Sequence, residues 1–349
     1  MAWDLVVIGE ILVELSSPVA LRDSTHFTLS FSGDALNAAA AAAAVGASVA
    51  ILTRVGDDEF GSAITEYVAW LGVDTSLIRS ASSPNGLYLI GADPGGHQEF
   101  IYLRRGSAAS LLGPADITRQ IMDSARAVLV SGVTHAISPS AAAAVLRGAQ
   151  LARARGGTVV YDPNYRPKLT TPAAAKDAFA RIAPLADVVT PSWPHDAAAL
   201  FDGADPQAAA WAALRAGAST AVVTLGDRGL LLADGSEINH YPAFYAPTVV
   251  DATGCGDILA GTMTARLALG DALDLAVRLG MAAAALAVGH RGGTTRLATS
   301  AEIWHHLEHA PNGPQTDGPT PPDPPVPAAA PASDPDQLAR YQPDQVEGP

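Results

Sequence analysis

The chain has 349 residues, 48% of them hydrophobic, enough to bury the core of one large α/β domain or two small ones. A formal net charge of −14 makes it a poor partner for nucleic acid, and a single cysteine excludes an internal disulfide and points to a reducing, cytoplasmic setting. No apolar run is long enough for a membrane span, no basic region opens a signal peptide, and neither lysine (Lys168, Lys176) follows a glycine-rich loop, so a Walker-A phosphate loop is excluded.

In chain order, Leu5-Val6-Val7-Ile8 is a short apolar run ending at Gly9-Glu10 and predicts a first buried strand. Residues 11–31 alternate apolar and polar side chains around a turn at Pro18, which predicts antiparallel strands. A helix is predicted over 37–45, a strand over 49–52 and a helix over 60–71. Residues 86–104 alternate again, with a turn at Asp93-Pro94-Gly95-Gly96. Strands are then predicted over 127–130, 158–161, 188–189 and 221–225, separated by alanine-rich helices over 140–155, 173–183 and 207–216. Such alternation indicates a mainly parallel sheet covered on both faces, with ligands bound beyond the carboxyl ends of its strands. From Pro311 to Pro349 the chain is rich in Pro, Ala, Asp and Gln, and six acidic residues face only Arg340. That composition cannot bury enough surface to fold, so the expected division is a domain over 1–310 and a disordered acidic tail over 311–349.

Asp251-Ala252-Thr253-Gly254-Cys255-Gly256-Asp257 follows the apolar Thr248-Val249-Val250 and opens an alanine-rich stretch. A glycine turn feeding a helix N-terminus presents unpaired amides, here those of Gly254, Cys255 and Gly256, and the helix dipole adds positive potential. A carboxylate beside that anion hole, Asp257, is suited to take the proton of a hydroxyl that attacks a phosphoryl group. The plainer alternative is a glycine turn with an acidic first-turn residue. The segment Thr224-Leu225-Gly226-Asp227-Arg228-Gly229, after an apolar strand, is a candidate nucleotide cradle through Thr224, Gly226 and Gly229. Cys255, at the start of a helix, is expected to carry a thiolate open to thiol reagents. His305, His306 and His309 read as solvated ends of a surface helix rather than metal ligands.

With Ser32-Gly33-Asp34-Ala35-Leu36-Asn37-Ala38-Ala39, Gly46 and Gly56 in register, these segments resemble the ribokinase-like (PfkB) family of carbohydrate kinases over about residues 4 to 308. Ser32 stands for the first glycine of the N-terminal signature, and Ala252 and Cys255 depart from the C-terminal one. The resemblance implies a three-layer α/β/α domain with a small β-sheet lid, within about 11–31 and 86–104, that covers the sugar and often pairs two subunits into a homodimer or higher oligomer. It implies phosphorylation of a sugar hydroxyl, MgATP as donor and room for a monovalent cation. It also implies a metal-linked motif at Thr190-Pro191-Ser192-Trp193-Pro194-His195-Asp196, with Asp196 acting on Mg²⁺ through water. Tyr161-Asp162-Pro163-Asn164-Tyr165-Arg166, Tyr102-Leu103-Arg104-Arg105-Gly106-Ser107-Ala108 and Gly9-Glu10 at the end of the first strand are in combination similar to the 2-keto-3-deoxygluconate kinases. In that reading Gly33, Asp34, Asn37, Tyr88, Tyr102, Arg104 and Arg166 contact the sugar, and the two arginines grip its carboxylate. Fructokinases share the Asp-Pro-Asn-x-Arg pattern, the myo-inositol-pathway kinases have a related loop, and Thr170 stands where a tryptophan often follows. A non-catalytic sugar or nucleotide sensor is the second alternative, against which Asp257 counts. A Rossmann dehydrogenase is disfavoured, because Gly9-Glu10-Ile11-Leu12 is no Gly-x-Gly-x-x-Gly turn.

Overall fold

The computed structural model describes residues 2–92, 98–246 and 248–309; the turn expected at 93–96 and the tail expected over 311–349 lie outside them. Thirteen strands are found among these residues: β1 (Trp3–Ile8), β2 (Leu12–Ser17), β3 (Thr28–Ser32), β4 (Val49–Gly56), β5 (Ile78–Ala81), β6 (Gly86–Ala92), β7 (Gln98–Leu103), β8 (Ala125–Ser131), β9 (Thr158–Asp162), β10 (Val188–Val189), β11 (Thr220–Thr224), β12 (Leu230–Asp234) and β13 (Glu237–Tyr241). The helices are α1 (Asp34–Ala44), α2 (Glu59–Trp70), α3 (Arg119–Asp123), α4 (Gly132–Ile137), α5 (Pro139–Ala154), α6 (Pro172–Ile182), α7 (His195–Leu200), α8 (Pro206–Arg215), α9 (Cys255–Leu269), α10 (Leu273–Ala287) and α11 (Ser300–His309).

A nine-stranded sheet runs β13-β12-β11-β10-β9-β8-β1-β4-β5. It is parallel from β11 to β5; β12 and β13 add an antiparallel edge for which the sequence reading named no strands. Side chains alternate across a strand, so a run buried on both sides is apolar throughout. In β1, Leu5 and Val7 enter one core with α1, α2, α9, α10 and α11, while Val6 and Ile8 enter the other with α3, α5, α6, α7 and α8. Side-chain caps fix several helix starts: Asp58 accepts from Gly61 N, Ser138 from Ala141 N, Thr171 from Ala174 N and Asp205 from Ala208 N. Pro139, Pro172 and Pro206 follow the last three of these caps, where a missing N–H costs nothing.

The alanines of α1 are small for a reason. A Cβ atom added at Gly261 of α9 would fall 2.1 Å from the carbonyl oxygen of Ala38. The backbones of α1 and α9 touch there, which ties Asn37 on one helix to Asp257 on the other.

The smaller sheet has the order β3-β2-β6-β7. Its outer pairs are antiparallel, but β2 and β6 pair in parallel, which corrects the all-antiparallel expectation. The connection between β2 and β6 passes through the large sheet, and such a crossover, unlike a hairpin, brings a strand back in the same direction. Ser30, Glu14, Tyr88 and Tyr102 form one cross-strand row. The neighbouring row, Leu29-Leu15-Leu89-Ile101, belongs to the opposite face, where Leu29 and Ile101 are exposed.

Candidate active site

Parallel pairing sets the carboxyl ends of β1, β8, β9, β10 and β11 along one edge. Glu10, Ser131, Asp162, Ser192 and Thr224 follow or end those strands. The N-termini of α1 and α9 come to the same place, because Asn37 of α1 and Asn164 after β9 both reach Asp257 of α9.

Gly254 is the N-cap of α9 with φ +80°, a left-handed conformation that glycine takes without strain. Asp257 lies in the first turn and is 8% exposed. Its Oδ2 accepts from Asn37 Nδ2 at 2.9 Å and its Oδ1 from Asn164 Nδ2 at 3.1 Å. Burial, reinforced by the nearby Asp34 carboxylate, pushes the Asp257 carboxyl up to about 6, against the pull of Asn37, Arg166 and Asn164. The result is a fixed carboxylate that is ionised near neutrality yet more basic than an exposed aspartate. Ser32, which replaces a signature glycine, donates from its Oγ to Asn37 Oδ1 at 3.3 Å and so orients the amide that faces Asp257.

Asp34 opens α1, and its Oδ2 has no hydrogen-bond partner. Burial raises its carboxyl against the hydrogen bond from Ser131 and the charges of Arg166 and Arg104. Asp162 and Asp196 are raised as well, first by burial; neighbouring carboxylates add to the rise of Asp162. Gly33 precedes Asp34 with φ +128°, and a side chain there would press on the carbonyl of Glu10 at 2.9 Å.

Arg104 follows β7, its side chain 8% exposed. Its Nη1 donates to Glu10 Oε1, and its guanidinium lies 4.5 Å from the ring centre of Tyr102. Arg166 is exposed and reaches the Tyr165 carbonyl at 3.4 Å. Its charge acts on Asp34, Asp162, Asp196, Asp257 and Tyr102, and it makes no salt bridge among the described residues. Tyr88 is 5% exposed and donates its hydroxyl to Glu14, and burial with Glu14 raises that hydroxyl far above its ordinary range. Tyr88 and Tyr102 pack with ring centres 5.6 Å apart.

Thr224 ends β11; Gly226 and Gly229, both with positive φ, make the turn into β12. The loop after β10 is bound to this turn, since Trp193 N donates to Thr224 O at 2.8 Å and Thr224 N donates to Pro191 O at 3.0 Å. Arg228 lies over the Trp193 ring at 4.5 Å.

One expectation changes, the Cys255 thiolate, and Asp196 gains a structural role beside the one expected of it. Asp196, the weak metal candidate, is 2% exposed; its Oδ1 accepts from Tyr165 N at 2.7 Å and its Oδ2 from Ser192 N and Oγ at 2.7 and 2.8 Å. Those bonds make it the tie between the Arg166 loop and the Ser192 loop. Cys255 carries no thiolate: burial, with Asp251 and Asp257 beside it, pushes the thiol up to about 12. The helix N-terminus lowers a thiol, but two neighbouring carboxylates and desolvation outweigh a half-charge dipole. Its amide donates to Ala252 O at 3.3 Å.

Sequence reasoning passed over Asn164, Ser131 and the pairing of Glu10. Asn164 stood inside the quoted Asp-Pro-Asn-x-Arg pattern without a role of its own; it has φ +40°, a conformation that asparagine tolerates better than most side chains.

Residues 3–300 match the sequence model of the pfkB family carbohydrate kinases. A 2-dehydro-3-deoxygluconokinase of Thermoproteus tenax is 34% identical over 310 residues, 87% of this chain and 94% of that protein. A 2-dehydro-3-deoxygalactonokinase of Haloferax volcanii is 33% identical over 82% of this chain and 91% of that protein. The solved structure of a Xylella fastidiosa fructokinase with bound ATP superposes with a TM-score of 0.77 at 23% identity, over 87% of this chain and 98% of that one. With its ribokinase-like fold and a family match across nearly all of its described residues, the chain belongs to the PfkB family of carbohydrate kinases.

Proposed function

We propose that the enzyme transfers the γ-phosphoryl group of ATP to a hydroxyl of 2-keto-3-deoxygluconate, with Asp257 accepting the hydroxyl proton. The observation that carries this reading is the placing of Arg104 and Arg166, which both act on Asp34 while Arg166 also acts on Asp257. Paired guanidinium groups at the catalytic end suit an acceptor that brings its own carboxylate. The two relatives above, whose names specify epimeric acid sugars, support the same class.

Asn37 and Asn164 hold the Asp257 carboxylate in one orientation. Phosphoryl transfer through a loose transition state asks little early proton removal, so position counts for more than basicity. The Cys255 amide is turned toward Ala252 O. The anion hole of Gly254, Cys255 and Gly256 therefore rests chiefly on the two glycine amides, which receive the transferring oxygens. Thr224, Gly226 and Gly229 serve the nucleotide.

Among the described residues no cluster of three or more His, Cys, Asp or Glu could hold a metal ion. The residues fit Mg²⁺ arriving hydrated on the ATP phosphates rather than in a protein cage. Asp34, Asp162 and Asp257, whose charges repel one another, would meet it through water, and its charge neutralises the phosphates.

The test is a comparison of kcat/KM with MgATP for 2-keto-3-deoxygluconate, its galacto epimer, fructose, ribose and adenosine. The two acid sugars are expected to lead, the gluco epimer first. A clear preference for fructose would overturn the acid-sugar reading and leave the kinase intact.

A further inference from the structure

Glu10 is fully buried at the carboxyl end of β1 and has no part in the proton and phosphoryl transfer proposed above. Its Oε1 accepts from Arg104, and its Oε2 has no hydrogen-bond partner. Leaving a buried acceptor unsatisfied costs about 1–3 kcal/mol, more for a charged group. Asp34 Oδ2 is likewise buried and unpartnered, and the Asp34 charge acts on Glu10. The backbone there cannot drift. Cβ atoms added at Gly9 and Gly33 would fall 2.5 Å from Ala35 Cβ and 2.9 Å from Glu10 O, so the end of β1 is clamped on the start of α1. The site thus offers two rigid, unfilled acceptors beside a guanidinium.

We propose that Glu10 sets the acceptor specificity of this kinase: one carboxylate oxygen holds Arg104 over the pocket, and the other accepts a hydrogen bond from a hydroxyl of the sugar. The other guanidinium N–H groups of Arg104, and Arg166, are then left to take the carboxylate of an acid sugar. This rests on the kinase reading, and not on which sugar is used, because the assay takes whichever acceptor the wild-type enzyme turns over fastest.

The experiment compares wild type and Glu10→Gln for acceptor KM, ATP KM, kcat and Tm. Loss of a charge-assisted hydrogen bond corresponds to about a tenfold to hundredfold rise in acceptor KM, with kcat and ATP KM within about threefold and Tm not lowered. A purely structural residue would lower Tm and raise both KM values together, and that result overturns the proposal. A series of monodeoxy acceptors adds a second reading: one of them, lacking the hydroxyl that Oε2 accepts, is expected to lose little further affinity in Glu10→Gln. If every analogue loses as much as the parent sugar, Glu10 reads no hydroxyl and the proposal fails. Should Glu10→Gln not fold, Glu10→Asp keeps the charge but withdraws the oxygens by one methylene; it must raise acceptor KM and spare ATP KM, and an unchanged acceptor KM refutes the idea. A wild-type enzyme that prefers fructose fails the acid-sugar reading alone, and the Glu10 comparison is then made with fructose.

Discussion

At Asp257 two opposed influences meet: burial makes the carboxylate a better base, and two amide donors keep it ionised and aimed. Asp257→Asn retains the shape but removes the base, so kcat is expected to fall roughly a hundredfold or more while acceptor binding changes little. A variant with near-normal turnover would take Asp257 out of the chemistry. The pH dependence has a defined sign. The proposed base must be ionised, and the Asp257 carboxyl is raised to about 6, so kcat is expected to decline as pH falls through that value. A kcat profile that is flat down to pH about 4.5, near an ordinary carboxyl, would show that Asp257 is not the group that titrates.

The N-terminus of α9 shows how an element constrains its residues. Its dipole alone would lower a thiol, yet Cys255 sits between Asp251 and Asp257 and is partly buried. A thiol near 12 leaves roughly a thousandfold less thiolate at neutral pH than an ordinary cysteine. Iodoacetamide at pH about 7.5 is therefore expected to label native protein far more slowly than unfolded protein, and Cys255→Ala to remain active. Rapid inactivation that ATP prevents would restore the thiolate. The same helix owes its position to the bare backbone at Gly261 against Ala38, and a side chain there would force α1 away and carry Asn37 off Asp257.

On the scale of the whole molecule, the site collects carboxyls that burial raises: Glu10 to about 7, Asp257 to about 6, and Asp34, Asp162 and Asp196 in the same direction. A carboxyl whose folded value exceeds its unfolded one contributes stability below the unfolded value, and that contribution disappears as pH rises through the folded value. For Asp257 the shift corresponds to at most about 3 kcal/mol. His135 and His306, lowered by burial, act in the opposite direction below about pH 6.5, but only two groups oppose five. The ligand-free protein is thus expected to melt at a higher temperature at pH about 5.5 than at about 7.5. A Tm that falls steadily as pH is lowered over that interval would show that the carboxylate group does not control stability.

The alternation of apolar strands with alanine-rich helices, the two glycine signatures and Asp257 were all legible in the chain, because each follows from local conformation and from periodicity. Strand and helix positions from 49–52 to 221–225 agree with the observed elements to within a few residues, for the same reason. What the sequence could not reveal depends on residues far apart along it. Parallel pairing of β2 with β6 depends on the route of the chain between them. Asn37 meets Asp257 across 220 residues, Glu10 meets Arg104 across 94, and Asp196 joins the Arg166 loop across 31. The protonation of Cys255 and of the carboxylate group was decided there too, since it depends on burial and on which charges the fold brings near, and neither quantity is written in any short stretch of residues.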